Sequence, residues 1–220
     1  MPNPVSGKQA KIRYTANVGT SSTDNAATIT TGAGTGNSSI QINSTARRIW
    51  DRSSTAIPEL YLNSTLVPST AIDRINYVQG IFELNESRTS TGTYTIDCHF
   101  LTASYLTGAR SWNMDVNVDM LDNTTLSTST ADVQWRTYQA GLSDATMNFE
   151  RLISTGDTGP VIYDRIVLES DIVFQVITND WRSYEGYAYI DGDSINTDPA
   201  SLTVESFSAR VDGQLEYSTA

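Results

Sequence analysis

Residues 111–121, SWNMDVNVDML, alternate without a break. Trp112, Met114, Val116, Val118 and Met120 fall on one side of an extended chain, and Asn113, Asp115, Asn117, Asp119 and Leu121 on the other. Successive side chains of a strand point to opposite faces, so a period of two predicts a strand with one core face and one wet, acidic face. KIRYTANV (11–18) alternates likewise, as does ATMNFERLI (145–153), and SIQI (39–42), TYTIDCHFLTA (93–103), IVFQVIT (172–178), YEGYAYIDGDSI (184–195) and SLTVESFSARV (201–211) read as further strands. In RINYVQGIFEL (74–84) the alternation breaks at Gln79-Gly80. That break predicts a tight hairpin running from Tyr77 to Gly80, with glycine supplying a positive φ.

Only 157–171, DTGPVIYDRIVLESD, predicts a helix. Thr158 is placed to cap it, Pro160 suits its first turn, and Ile162, Ile166 and Val167 or Leu168 form its apolar stripe. The pattern as a whole predicts a mainly β chain, an antiparallel sandwich with one flanking α-helix. Residues 1–10, with Pro2, Pro4 and Gly7, read as an extended arm, and 11–220 as a single domain without repeat or linker. Within it, the Gly/Ser/Thr-rich stretch at about 19–38 reads as a long loop, either mobile or ordered against a partner subunit.

Composition narrows the classes. The chain has 220 residues, enough for a sizeable core, and 11 Tyr and 4 Trp to fill it. Its net charge of -11 removes the basic footprint that DNA reading needs. A surface of that sign repels phosphate, which suits a wall that lets DNA pass. No apolar run is long enough to span a membrane, and the N-terminal stretch carries no secretory pattern, so synthesis in a cytoplasm is expected.

Catalytic chemistry is hard to assemble. One cysteine, Cys98, excludes an internal disulfide, and one histidine, His99, excludes a His-rich metal site. The two are neighbours on a strand, so they face apart. DGDSINTD (191–198) lacks the ligand order of a calcium loop, with Ile195 at its fifth position, and reads as a turn. GTGNSS (34–39) lacks the Lys-Ser/Thr ending of a phosphate loop. No enzyme, metal or cofactor is expected. A binding or structural protein remains, and strands with few charged edges invite pairing with other copies.

ARRIWDRSS (46–54) is the densest cluster of large side chains: Arg47, Arg48, Trp50, Asp51 and Arg52. Active site, nucleic-acid contact and structural corner are all open on composition alone.

Three segments, taken in order, carry a family resemblance: ARRIWDRSSTAIPELYLN, then RINYVQGIFEL, then TYTIDCHFLTASY. Downstream lie SWNMDVNVDMLDNTTL, QAGLSDATMNFERLI and YEGYAYIDGDSINTDPASLTVESFSARVDGQL. From about residue 40 onward the chain resembles the tail tube (major tail) proteins of long-tailed bacteriophages. In the hairpin, Asn76 stands where that family more often has Asp. The resemblance implies six-fold rings, stacked into a tube with an acidic lumen that conducts DNA without sequence-specific binding. It implies a virion tail protein that assembles in the host cytoplasm with itself and other tail proteins, and has no membrane partner. Under it, Asp115, Asp119, Glu150 and Glu205 are lumen candidates. Arg47, Arg48 and Arg52 become partners of carboxylates around Trp50, within the chain or across subunits. The runner-up is a virion carbohydrate- or receptor-binding module stacking ligands on Trp181, Tyr184, Tyr187 and Tyr189.

Overall fold

The computed structural model describes residues 11–15, 19–30, 37–53, 55, 57–87, 92–106, 108–122, 138–153, 171–179, 182–197 and 202–219. The first half of the chain gives β1 (Lys11–Thr15), β2 (Thr20–Thr30), β3 (Ser39–Ile42), β4 (Glu59–Leu62), β5 (Thr65–Leu66), β6 (Ile72–Asn76), β7 (Ile81–Leu84), β8 (Tyr94–Phe100) and β9 (Ser104–Tyr105). The second half gives β10 (Ala109–Asp122), β11 (Tyr138–Leu152), β12 (Ile172–Asn179), β13 (Arg182–Asn196) and β14 (Val204–Thr219). Among the described residues the only helical elements are 3-10 turns at Thr45–Arg47 and Ser69–Ala71. The helix expected at 157–171 lies outside the described residues but for its last position, as do the arm at 1–10 and residues 31–36.

The chain is mainly β, and the pairings between its strands are antiparallel. It divides into two compact units. The first comprises Met1–Leu106, Asp171–Tyr187 and Glu216–Ala220; the second comprises Thr107–Ser170 and Ala188–Leu215.

The first unit holds one sheet in the order β5-β4-β8-β2-β3-β7-β6, and the run β13-β12-β1-β9 of another. The core of the first sheet follows from strand alternation. Tyr94, Ile96 and Cys98 of β8 are buried, and Thr95, Asp97 and His99 between them are half-buried. Ile40, Leu60, Phe82, Leu84 and Trp50 join the same cluster. Burying each side chain of this size contributes about 1.5–3 kcal/mol. Cys98 and His99 do face apart, and burial pushes the Cys98 thiol up to about 11, with Arg47 opposing. A thiol held protonated in a core is inert.

The polar stretch near residues 19–38 is not a loop throughout, because Thr20–Thr30 forms β2. β2 pairs β8 on one side and β3 on the other, so its polar residues satisfy their backbone groups in the sheet interior. A break in register between Ser22 and Asn25 places Asp24 at φ 52. The Asp24 N–H donates to Asp97 Oδ1 at 2.7 Å. Threonine's β-branch suits the pleat, and here it outweighs low hydrophobicity.

The second unit contains β10-β11-β14 followed by the outer part of β13. β13 continues to Asn196, so Asp191–Ile195 is strand and not the turn that its Asp/Gly composition suggests. Phe149 of β11 and Phe207 of β14 stack at 4.9 Å between ring centroids over this unit's buried face.

Candidate functional site

Residues 46–53 form a corner around Trp50, and its arginines have partners within the chain. Trp50 is fully buried and lies 5.3 Å from Phe82 between ring centroids. Its backbone N–H donates to the Tyr77 carbonyl at 2.7 Å, and its indole Nε1–H donates to the Arg47 carbonyl at 2.9 Å. Its own carbonyl accepts the Tyr187 hydroxyl. An indole can be buried cheaply only when its N–H finds an acceptor, and the Thr45–Arg47 turn supplies one.

The arginines around it have different partners. Arg48 pairs with Glu185 at 2.7 Å, and Arg52 with Asp171 at 2.7 Å. The Arg52 guanidinium also lies 4.4 Å from the centroid of the Tyr187 ring. Arg47 meets no carboxylate among the described residues: its Nη1 donates to Asn25 Oδ1 at 2.6 Å and Ser22 Oγ at 3.0 Å. Asp51 uses its oxygens on main-chain donors, accepting the N–H of Ser53 at 2.9 Å and of Gly19 at 3.2 Å. A Cβ at Gly19 would fall 2.8 Å from Asp51 Cβ, so this approach requires glycine.

Residues 77–80 turn the chain between β6 and β7. Asn76 Oδ1 accepts the N–H groups of Val78 at 3.2 Å and Gln79 at 3.0 Å. The acceptor oxygen that caps the turn is common to Asn and Asp, and Asn76 Nδ2 also donates to Gln79 Oε1 at 3.4 Å. Gly80 has φ +66, and an added Cβ would meet Ile42 Cγ2 at 2.7 Å. Burial raises the Tyr77 phenol. Val78 joins Ile49, Leu101, Val173 and Tyr187 in the cluster that packs the corner against β12 and β13.

Sequence reasoning did not connect Asp171, Glu185, Gln175 or Tyr187 with this corner. The available signal was a lone Gln inside IVFQVIT and a lone Glu inside YEGYAYI. A polar residue at a core position needs a partner.

In the second unit the acidic candidates separate. Asp115 and Asp119 are exposed on β10, with no ion-pair partner among the described residues. Glu150 accepts from Arg110 Nη1 at 3.1 Å and Ser111 Oγ at 3.2 Å, which offsets its charge. Glu205 does not belong with them. It is buried and paired with Arg151 Nε, because β14 places it on the face that carries Phe207.

The apolar face of β10 also departs from expectation. Trp112 and Met114 are half-buried, but Val116 is 54% exposed, Val118 45% and Met120 61%. The register gives the reason. β11 pairs with β14 only from Thr146 to Leu152, whereas its pairing with β10 continues out to Tyr138. Residues 116–122 and 138–145 therefore form a two-stranded ribbon in the described pairings. Between Val118/Ser143 and Met120/Ala140 the register shifts by one residue on β11, and Leu142 beside the shift is 81% exposed.

Of the aromatic platform, Tyr187 is buried and Tyr184 packs on Tyr217 at 5.3 Å between centroids. Trp181 lies outside the described residues. Among the described residues no three His, Cys, Asp or Glu side chains gather as a metal site would require.

No protein-family model and no curated protein matches this sequence. Solved structures with a similar fold include the tail of an empty gene transfer agent particle refined with C6 symmetry, at 19% identity and TM-score 0.47, covering 53% of this chain and 86% of that one. The SPP1 tail tube is similar at 16% identity and TM-score 0.41, covering 54% and 69%. The tube-terminating cap of the anti-feeding prophage is similar at 13% identity and TM-score 0.39, covering 81% and 100%.

Proposed function

We propose that this chain is a structural subunit of a virion tail. It polymerises as stacked hexameric rings into a tube, assembled in the host cytoplasm with other tail proteins, and DNA passes through the tube's acidic channel. The observation that carries this reading is the uncovered ribbon of β10 and β11. A two-stranded ribbon is marginal in water on its own, and this one exposes Val116, Val118, Met120 and Leu142. β10 is also the edge of its sheet among the described strands, with backbone groups free to pair. A closed ring of copies removes both costs at once. The order of motifs from residue 40 onward supports the tube form of that assembly.

Asp115 and Asp119 are the acidic residues that best suit the channel wall. They are exposed, unlike Glu205, and unneutralised, unlike Glu150. The net charge of -11 acts in the same direction, since a wall that repels phosphate does not retain DNA. The burial of Tyr187 removes it from a carbohydrate-stacking platform, which leaves Tyr189 as its exposed member among the described residues. Negative-stain electron microscopy of the purified chain across a concentration series tests the assembly. Rings or hollow tubes are expected. Monomers that persist at every concentration, with and without the other tail proteins, would refute it.

A further inference from the structure

We propose that Glu185 and Gln175 hold a shared internal water molecule that completes the buried polar network behind Arg48. Glu185 on β13 is 0% exposed, and Gln175 on β12 is 5% exposed. Three donors converge on one carboxylate oxygen. Glu185 Oε1 accepts from Arg48 Nη2 at 2.7 Å, Gln175 Nε2 at 2.6 Å and Ser183 Oγ at 2.8 Å. The other oxygen, Glu185 Oε2, is buried with no hydrogen-bond partner among the described residues, and so is Gln175 Oε1.

Turning the Gln175 amide over does not resolve this. Its Nε2 already donates to Glu185 Oε1, and the flipped amide would set oxygen against oxygen there. A buried acceptor left without a donor is costly. A single group that completes both must donate twice. A metal ion is a poor choice, because the Arg48 guanidinium already neutralises the carboxylate and a second cation would sit beside it. Water is neutral, carries two donors, and is the usual partner of otherwise unsatisfied groups in protein interiors. Its place behind Arg48 ties the corner at residues 46–54 to β12 and β13.

The test is a crystallographic or cryo-EM map of the intact protein at a resolution that shows ordered solvent. The expected result is one solvent peak about 2.8 Å from both Glu185 Oε2 and Gln175 Oε1. Direct contact between those two oxygens would mean that they share a proton instead, and would overturn the proposal. So would two oxygens that each meet a different group with no common peak. In the same map of Gln175→Leu the peak is expected to be lost, and a peak of unchanged occupancy would overturn the shared site. Where that variant does not fold, the map of the unaltered protein decides alone.

Discussion

Tyr187 donates its phenolic hydroxyl to the main-chain carbonyl of Trp50. The bond joins a strand late in the chain to a corner early in it, and both groups are buried. In Tyr187→Phe the ring keeps its packing while the Trp50 carbonyl loses its donor. The expected cost is about 1–3 kcal/mol of folding stability. Urea unfolding followed by Trp fluorescence reads it directly, and an unchanged midpoint would show that solvent reaches that carbonyl.

The same phenol makes stability sensitive to alkali. Burial is the largest cause that raises Tyr187 above its ordinary value of 10.0; Asp171 adds to it and Arg52 opposes. The fold therefore favours the protonated form. This contribution is fully present below the unfolded value of 10.0 and is lost as pH rises from there through the folded value. Tyr77 is raised as well, by burial, so the full chain should lose stability on the alkaline side of 10.0. Unfolding midpoints measured across that range should fall less steeply for Tyr187→Phe than for the unaltered chain.

Arg151 and Glu205 form an ion pair with side chains only 5% and 2% exposed. Removing one partner strands the other charge in a core. Arg151→Met alone is expected to cost about 3–5 kcal/mol, whereas Arg151→Met with Glu205→Leu should recover most of that loss. Thermal unfolding of both single variants and the double variant gives the coupling. Additive losses would mean that the two groups do not act as a pair.

If the ribbon is where copies meet, its apolar face can be changed without harming the subunit. Val118→Ser with Met120→Gln keeps the net charge and the strand. Sedimentation velocity should show the polymer lost, and near-UV circular dichroism should show the monomer unaltered. Polymers of normal length from this variant would move the contact elsewhere.

Most of the strands were legible because alternation is a local signal. Ser111–Leu121 lies wholly within β10, and the break at Gln79-Gly80 marks the β6–β7 turn. Thr20–Thr30 was misread because its polar residues are held by pairing on both sides, which no local pattern reports. The burial of Glu205 was misread for a related reason: its partner Arg151 is 54 positions away. The exposure of Val116, Val118 and Met120 depended on where β14 stops pairing with β11, a property of the sheet and not of β10.

The corner's longest tie has a temporal side. Arg48 and Glu185 are 137 positions apart. At common synthesis rates, roughly 7–27 s pass between the appearance of the first and of the second. Through that interval Arg48 and the Trp50 carbonyl wait for Glu185 and Tyr187, while the strands that bury the Trp50 ring are already made. A translating ribosome thus presents a half-finished corner, its tryptophan already packed and its Arg48 still without Glu185.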